Sequence, residues 1–198
     1  MKQKWVLVSW LGFLVLHSNC SLAGISQEQI FARYKNLQGL HAEIKQSKQS
    51  PLLLRPIITL VTLNYRNGLL SWEPKGQAAI QLRFVAGKEP EWVKGPAIPG
   101  INDPVIKKRM IATLEAVRDL LLISPRLSER FDLDLKANLL SLSPKAGMDS
   151  GFLQKIELNF AADLSLLSMR LISSDDETTL NFERLDLERE LPVGAKPP

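Results

Sequence analysis

The chain reads as a mainly β (α+β) protein: a strongly curved antiparallel sheet or open barrel, filled or hollow, with helices covering one mouth. Three observations predict this. Short segments of alternating apolar and polar residues recur along the chain, bounded by turn residues. These segments do not alternate with crossover helices, which excludes a doubly wound parallel sheet. Two amphipathic helical segments need an apolar surface to cover, and the concave face of a curved sheet supplies one.

Taken in order, Ser26 with Gln29 three residues later is a capping-box pair, and Ile30, Phe31, Tyr34 and Leu37 follow at helical spacing. Gly39 is placed to end that helix in the left-handed region. His41-Ala42-Glu43-Ile44-Lys45-Gln46 alternates as a half-exposed strand, with Ala42 and Ile44 on one face. After Pro51 and Pro56 a β-branched run over residues 57–65 reaches Arg66-Asn67-Gly68-Leu69. Asn-Gly between apolar runs predicts a type I′ hairpin, because both central residues need positive φ. Arg66 then ends one strand and Leu69 begins the next. In residues 78–85, Ile80, Leu82 and Phe84 share one side with Arg83 opposite.

Residues 87–103 hold Pro90, Gly95, Pro96, Pro99 and Gly100. They read as a loop lying across the fold, with Trp92 and Ile98 packed. Asn102-Asp103-Pro104 supplies an N-cap and a first-turn proline. Ile106, Met110, Leu114, Val117 and Leu121 then share one helical face, with Lys107, Lys108, Glu115, Arg118 and Asp119 elsewhere, and Pro125 lies past the end. Strand patterning returns in Phe131, Leu133 and Leu135, then Leu140 and Leu142, then Ile156, Leu158 and Phe160. Leu167, Met169 and Leu171 share a face, the acidic residues 173–177 turn, and Leu180 and Phe182 resume. The apolar parity flips along Leu185 and Leu187, which predicts a bulge near Glu183.

Residues 1–23 read as a signal peptide. Lys2 and Lys4 are followed by an apolar run over residues 5–16, and Ser21-Leu22-Ala23 offers small residues for cleavage. The run is too short for a comfortable transmembrane helix. Residues 24–198 form one domain, long enough for a substantial core. Loss of Lys2 and Lys4 takes the formal charge from +4 to +2, and no polybasic run remains to argue for nucleic acid. Cys20 follows His17-Ser18-Asn19, which departs from the Leu, small, Gly or Ala order of lipoprotein processing. The expected cleavage removes the only cysteine, so the mature chain has no disulfide or thiol chemistry.

No catalytic kit stands out. His41 is the single histidine of the mature chain and reads as a structural or surface residue of a strand. Neither a metal-ligand set nor a serine nucleophile motif is present. Asp132 with Asp134, and Asp175-Asp176-Glu177, read as solvated acids. The expectation is a protein that is not an enzyme and uses no cofactor or metal. A carboxylate hydrolase built on Asp132 or Asp134 is the catalytic alternative.

The order of these pieces resembles the outer-membrane lipoprotein carrier family LolA, in divergent form. The likeness runs through the opening helix, the Leu40-His41-Ala42-Glu43-Ile44-Lys45-Gln46 strand and the Arg66 to Trp72 spacing. It continues through Leu142-Ser143-Pro144-Lys145, the Asp175-Asp176 turn and the closing Leu191-Pro192-Val193-Gly194. The resemblance implies an unclosed, strongly curved antiparallel β-barrel with a lid of α-helices over an apolar cavity, and a soluble, monomeric periplasmic carrier, a chaperone of outer-membrane biogenesis. Such a carrier takes acylated lipoprotein or lipid cargo from an inner-membrane transporter to an outer-membrane acceptor. It implies Arg66 as the lid latch. It implies a lipid-binding set of Phe31, Tyr34, Leu70, Trp72, Phe84, Ile106, Met110, Leu114, Val117 and Leu121. Asn67, where carriers commonly have proline, and the altered strand after Trp72 resemble homologues associated with other envelope lipids, including polyene or glycolipid export. The alternatives are a lipid-sensing or partner-binding protein using loop 87–103 and, were Cys20 lipidated, an acceptor of the LolB type.

Overall fold

The computed structural model describes residues 24–85, 88–95, 118–146 and 153–189. Residues 1–23, read above as a signal peptide, the tail from residue 190 and most of the long predicted helix, with Ile106, Met110, Leu114 and Val117, lie outside the described residues. Ten strands form one sheet: β1 (Leu37–Gln49), β2 (Ile57–Arg66), β3 (Leu69–Pro74), β4 (Ile80–Arg83), β5 (Glu91–Lys94), β6 (Phe131–Lys136), β7 (Leu139–Pro144), β8 (Leu153–Phe160), β9 (Leu166–Ser173) and β10 (Glu177–Arg189). Their spatial order is β5-β4-β3-β2-β1-β10-β9-β8-β7-β6, and every pairing is antiparallel. Because β5 and β6 stand at opposite edges, the sheet is not closed into a barrel, as the sequence predicts. Among the described residues no helix is long and apolar enough to cross a membrane.

Helix α1 (Gln27–Tyr34) begins in the expected capping box: the Ser26 hydroxyl accepts from the Gln29 N–H at 3.2 Å, and the Gln29 side chain accepts from the Ser26 N–H at 2.9 Å. It ends earlier than Gly39. Lys35 is already extended, Asn36 takes the left-handed turn at φ 57°, and β1 starts at Leu37. Gly39 instead lies within β1, where a Cβ would come within 2.7 Å of the Glu188 carboxylate. The glycine is there for a close approach, not for a helix cap.

Strand alternation places the core on one face. Leu158, Leu140, Leu142, Ile156 and Leu63 are fully buried, and α1 and residues 118–123 pack into the same cluster through Ile30, Tyr34, Leu120, Leu121 and Ile123. The short helix α2 (Leu127–Arg130), which has no sequence signature, buries Leu127. Two of the five register shifts among the described strands bear on the sequence reading. At the first, Glu43 pairs with Arg184 and Ile44 with Phe182, so Glu183 is the extra residue. This is the predicted parity flip, and it keeps both Phe182 and Leu185 on the apolar face. At the second, Asn159 pairs with Ser168 and Phe160 with Leu166, leaving Leu167 without a partner. Leu166 is therefore buried and Leu167 is 46% exposed, which corrects the expectation that Leu167 shares the face of Met169.

Residues 87–103 are also not simply a loop. Glu91–Lys94 forms β5, and Trp92 pairs with Leu82. Gly95 at φ 149° has its position closed by the Trp92 indole, 2.6 Å from where a Cβ would sit. Proline and glycine at both ends of a four-residue strand hid it from periodicity.

Candidate functional site

Cross-strand register assembles two apolar rows over β1 to β5 and β10. One runs Trp92, Leu82, Leu70, Tyr65, Leu40 and Leu187; the other runs Ile80, Trp72, Leu63, Ala42 and Leu185. Neighbours in such rows lie about 5 Å apart and pack directly. Leu40, Ala42, Leu63, Leu70 and Leu82 are buried at the base. Tyr65, Trp72, Ile80, Phe84, Trp92, Phe182, Leu185 and Leu187 pack against that base but are only partly buried. On the β7 to β9 side, by contrast, Leu140, Leu142, Ile156 and Leu158 are each 0% exposed. Leu133, Leu135, Leu153 and Leu171 on β6, β8 and β9 are also partly buried, but the partly buried aromatic residues of the sheet region, Tyr65, Trp72, Phe84, Trp92 and Phe182, all belong to the β2 to β5 and β10 side.

The helical components meet this face at two points. Tyr34, 3% exposed, packs edge-on against Phe160 with ring centroids 6.3 Å apart. Its hydroxyl accepts from the Leu166 N–H at 2.9 Å and donates to the Leu164 carbonyl at 3.3 Å. Burial pushes the Tyr34 phenol up to about 12, against the opposing effect of the Leu166 hydrogen bond. The fold prefers the neutral phenol. Its contribution is intact below the unfolded value of 10.0 and is lost as pH rises through about 12. Roughly 3 kcal/mol of stability should disappear across that window. Urea unfolding between pH 9 and 12 should show this decline, and Tyr34→Phe should lack this portion of it.

At the second point Arg118 stands over the Phe84 ring at 5.4 Å and donates through Nε and Nη2 to Asp119 at 2.9 and 2.7 Å. Asp119 is 4% exposed. This corrects the expectation that both residues lie off the packed side of the helix: the carboxylate is tolerated inside because the guanidinium accompanies it. Phe84 in turn is held by its N–H, which donates to the Gly68 carbonyl at 2.7 Å. The hairpin turn thus positions the residue on which the helical segment rests.

The predicted site residues divide accordingly. Tyr34, Leu70 and Leu121 are buried in the common core, while Phe31, Trp72 and Phe84 are partly buried against it. Arg66 follows the opposite alternation from Tyr65 and Leu63. Its side chain is 74% exposed and lies 3.6 Å from Glu188 across Gly39. His41 is likewise on that opposite side, with Nδ1 2.6 Å from Asn64 Oδ1. Leu40, Leu63, Leu82, Phe182, Leu185 and Leu187 join the site although sequence reasoning did not place them there. Strand parity carried through the Glu183 bulge is the signal that finds them.

A separate cleft of about 480 Å³ is lined by Glu43, Thr62, Glu73 and Glu183 around Leu60 and Lys75. Glu43, Thr62 and Glu73 are neighbours in register, and the Ser71 hydroxyl donates to Glu73 at 2.7 Å. Among the described residues no group of His, Cys, Asp or Glu could hold a metal ion.

No protein-family model matches the chain, and no curated protein does. Among solved structures, a LolA superfamily protein from Nitrosomonas europaea is similar at 10% identity and a TM-score of 0.35, covering 85% of this chain and 96% of that one. A DUF1329 family protein from Desulfovibrio piger is similar at 9% identity and 0.35, covering 84% and 92%. An outer membrane lipoprotein-sorting protein domain from Vibrio parahaemolyticus is similar at 10% identity and 0.32, covering 85% and 94%.

Proposed function

We propose that the chain is a periplasmic carrier that shelters the acyl chains of lipoproteins or related envelope lipids as they pass from the inner to the outer membrane. The observation that carries this reading is the partly buried apolar surface over β2 to β5 and β10: Tyr65, Trp72, Phe182, Leu185 and Leu187 pack against the core of an open sheet without being buried by it. Each methylene placed against such a surface gains about 0.8 kcal/mol, so an acyl chain binds without any cofactor. The protein on this reading is a monomer and not an enzyme, with an inner-membrane transporter as donor and an outer-membrane acceptor as recipient.

The mature protein, purified from its native compartment, should carry acylated species identifiable by mass spectrometry. Binding of a fluorescent fatty-acid probe should fall at least about tenfold in Leu185→Asp, because a carboxylate on the face cannot be buried beside the chain. Leu167→Asp, on the exposed bulge, should bind as the parent does. Equal binding by both variants, with no acylated species recovered, would sink the carrier reading. The latch role that the resemblance implies for Arg66 has to act from the Glu188 side of the sheet, opposite the apolar rows; Arg66→Leu should slow cargo release to an acceptor, and unchanged release removes it from the mechanism.

A further inference from the structure

The β1–β2 connection presents an apolar tip that the carrier reading does not use. Ser50 to Leu53 closes as a turn, the Leu53 N–H donating to the Ser50 carbonyl at 2.9 Å and the Leu52 N–H to the Ser50 hydroxyl at 3.4 Å. Pro51 occupies the second position of this turn, where its fixed φ fits. The turn holds Leu52 outward at 93% exposure, Leu54 follows at 107%, and Ile57 and Ile58 are 53% and 59% exposed. Four large aliphatic side chains at one end of a hairpin are far more than scattered surface leucines.

Charge is layered behind this tip. Arg55 lies among the leucines. Lys45, which pairs with Leu60, and Lys75, whose N–H donates to the Leu60 carbonyl at 2.8 Å, lie one level back. All three are exposed and have no ion-pair partner among the described residues. The acids of the neighbouring β9–β10 turn are largely neutralised: Asp176 meets Lys48 at 2.7 Å and Glu177 meets Arg170 at 2.6 Å, while Asp175 is exposed. Glu43, Glu73 and Glu183 line the same cleft as Lys75, whereas Lys45 and Arg55 are not part of its lining. The apolar tip with Arg55 and Lys45 behind it follows the order of a bilayer surface, from acyl boundary to phosphate.

We infer that residues 52–58 form a membrane-docking tip that inserts Leu52 and Leu54 at the surface of an anionic bilayer, with Arg55 and Lys45 at the phosphate level. The inference does not depend on cargo, since the tip residues are not among those of the partly buried apolar surface. A protruding convex tip fits the yielding acyl boundary of a bilayer better than it fits a second rigid copy of itself.

The test is sedimentation of the mature protein with vesicles of phosphatidylethanolamine and phosphatidylglycerol, compared with phosphatidylcholine alone. The expected result is binding to the anionic vesicles that is weaker on phosphatidylcholine and falls at least about tenfold in the double variant L52D/L54D. Leu167→Asp, which removes an exposed leucine elsewhere, should retain parental binding, and circular dichroism should show both variants folded. Absent binding, or binding that L52D/L54D leaves unchanged, overturns the inference. So does a concentration-dependent dimer without vesicles that L52D/L54D dissolves, which would make a second copy the occupant. Loss of fatty-acid probe binding in Leu185→Asp is read on separate material, so failure here leaves the carrier reading standing and the reverse also holds.

Discussion

Gly68→Ala should destabilise the protein by about 2–4 kcal/mol, and Gly76→Ala by only about 1 kcal/mol, although the two glycines have nearly the same backbone conformation. Gly68 sits at φ 78° and Gly76 at φ 79°, so both lose the freedom that glycine has in the left-handed region. Their surroundings differ. A Cβ at Gly76 meets nothing within 4 Å, whereas one at Gly68 would stand 2.4 Å from the Phe84 carbonyl oxygen. That neighbour is backbone and cannot rotate away. Relief requires moving β4, which breaks the 2.7 Å bond from the Phe84 N–H to the Gly68 carbonyl and shifts the ring beneath Arg118. The difference between the two variants, read from urea unfolding midpoints, isolates the steric part from the conformational part. Equal losses would show that the hairpin turn is free of β4. Asn67, at φ 50°, should tolerate glycine within about 1 kcal/mol, because the turn needs positive φ there and nothing else.

This turn also shows how much of the molecule its sequence discloses. Asn67-Gly68 is read correctly because turn chemistry is local: two residues must accept positive φ and few residue types do. The same holds for Ser26 and Gln29, whose reciprocal bonds define the start of α1. The Glu183 bulge is legible for a different reason, since a one-residue insertion moves Leu185 and Leu187 to the other parity and the alternation records it. Failures occur where a partner far along the chain decides the outcome. Gly39 looks like a helix terminator until Glu188 is found against it. Leu167 fits its alternation but loses its place because Asn159 and Phe160 skip it. Arg118 and Asp119 read as solvent-facing, yet each makes the other's burial tolerable. Arg66 is the same lesson for the candidate site: its position beside the turn follows from sequence, while its side and its 3.6 Å approach to Glu188 follow from the pairing of β1 with both β2 and β10.

Phe160→Ala should cost about 3–5 kcal/mol, the largest effect of any single truncation considered. Phe160 is 1% exposed and lies where the sheet and α1 are joined. Its N–H donates to the Asn138 carbonyl at 2.9 Å, fixing the residue at the bulge. Its ring meets Tyr34 at 66°, the edge-to-face arrangement that aromatic quadrupoles favour. Tyr34→Phe keeps that ring contact but removes the acceptor for the buried Leu166 N–H, at a cost of about 1–3 kcal/mol. The two variants therefore probe different bonds to the same strand pair, and their combination should be less than additive by about 0.5–1.5 kcal/mol, since a cavity at Phe160 lets α1 shift and releases the Tyr34 hydroxyl from its place. Additivity within error would mean that α1 is held independently of Phe160. The distinction bears on the proposed carrier function, in which a helix fixed rigidly to β8 and β9 at Tyr34 would leave the partly buried side chains of β2 to β5 and β10 as the portion of the apolar face available to an acyl chain.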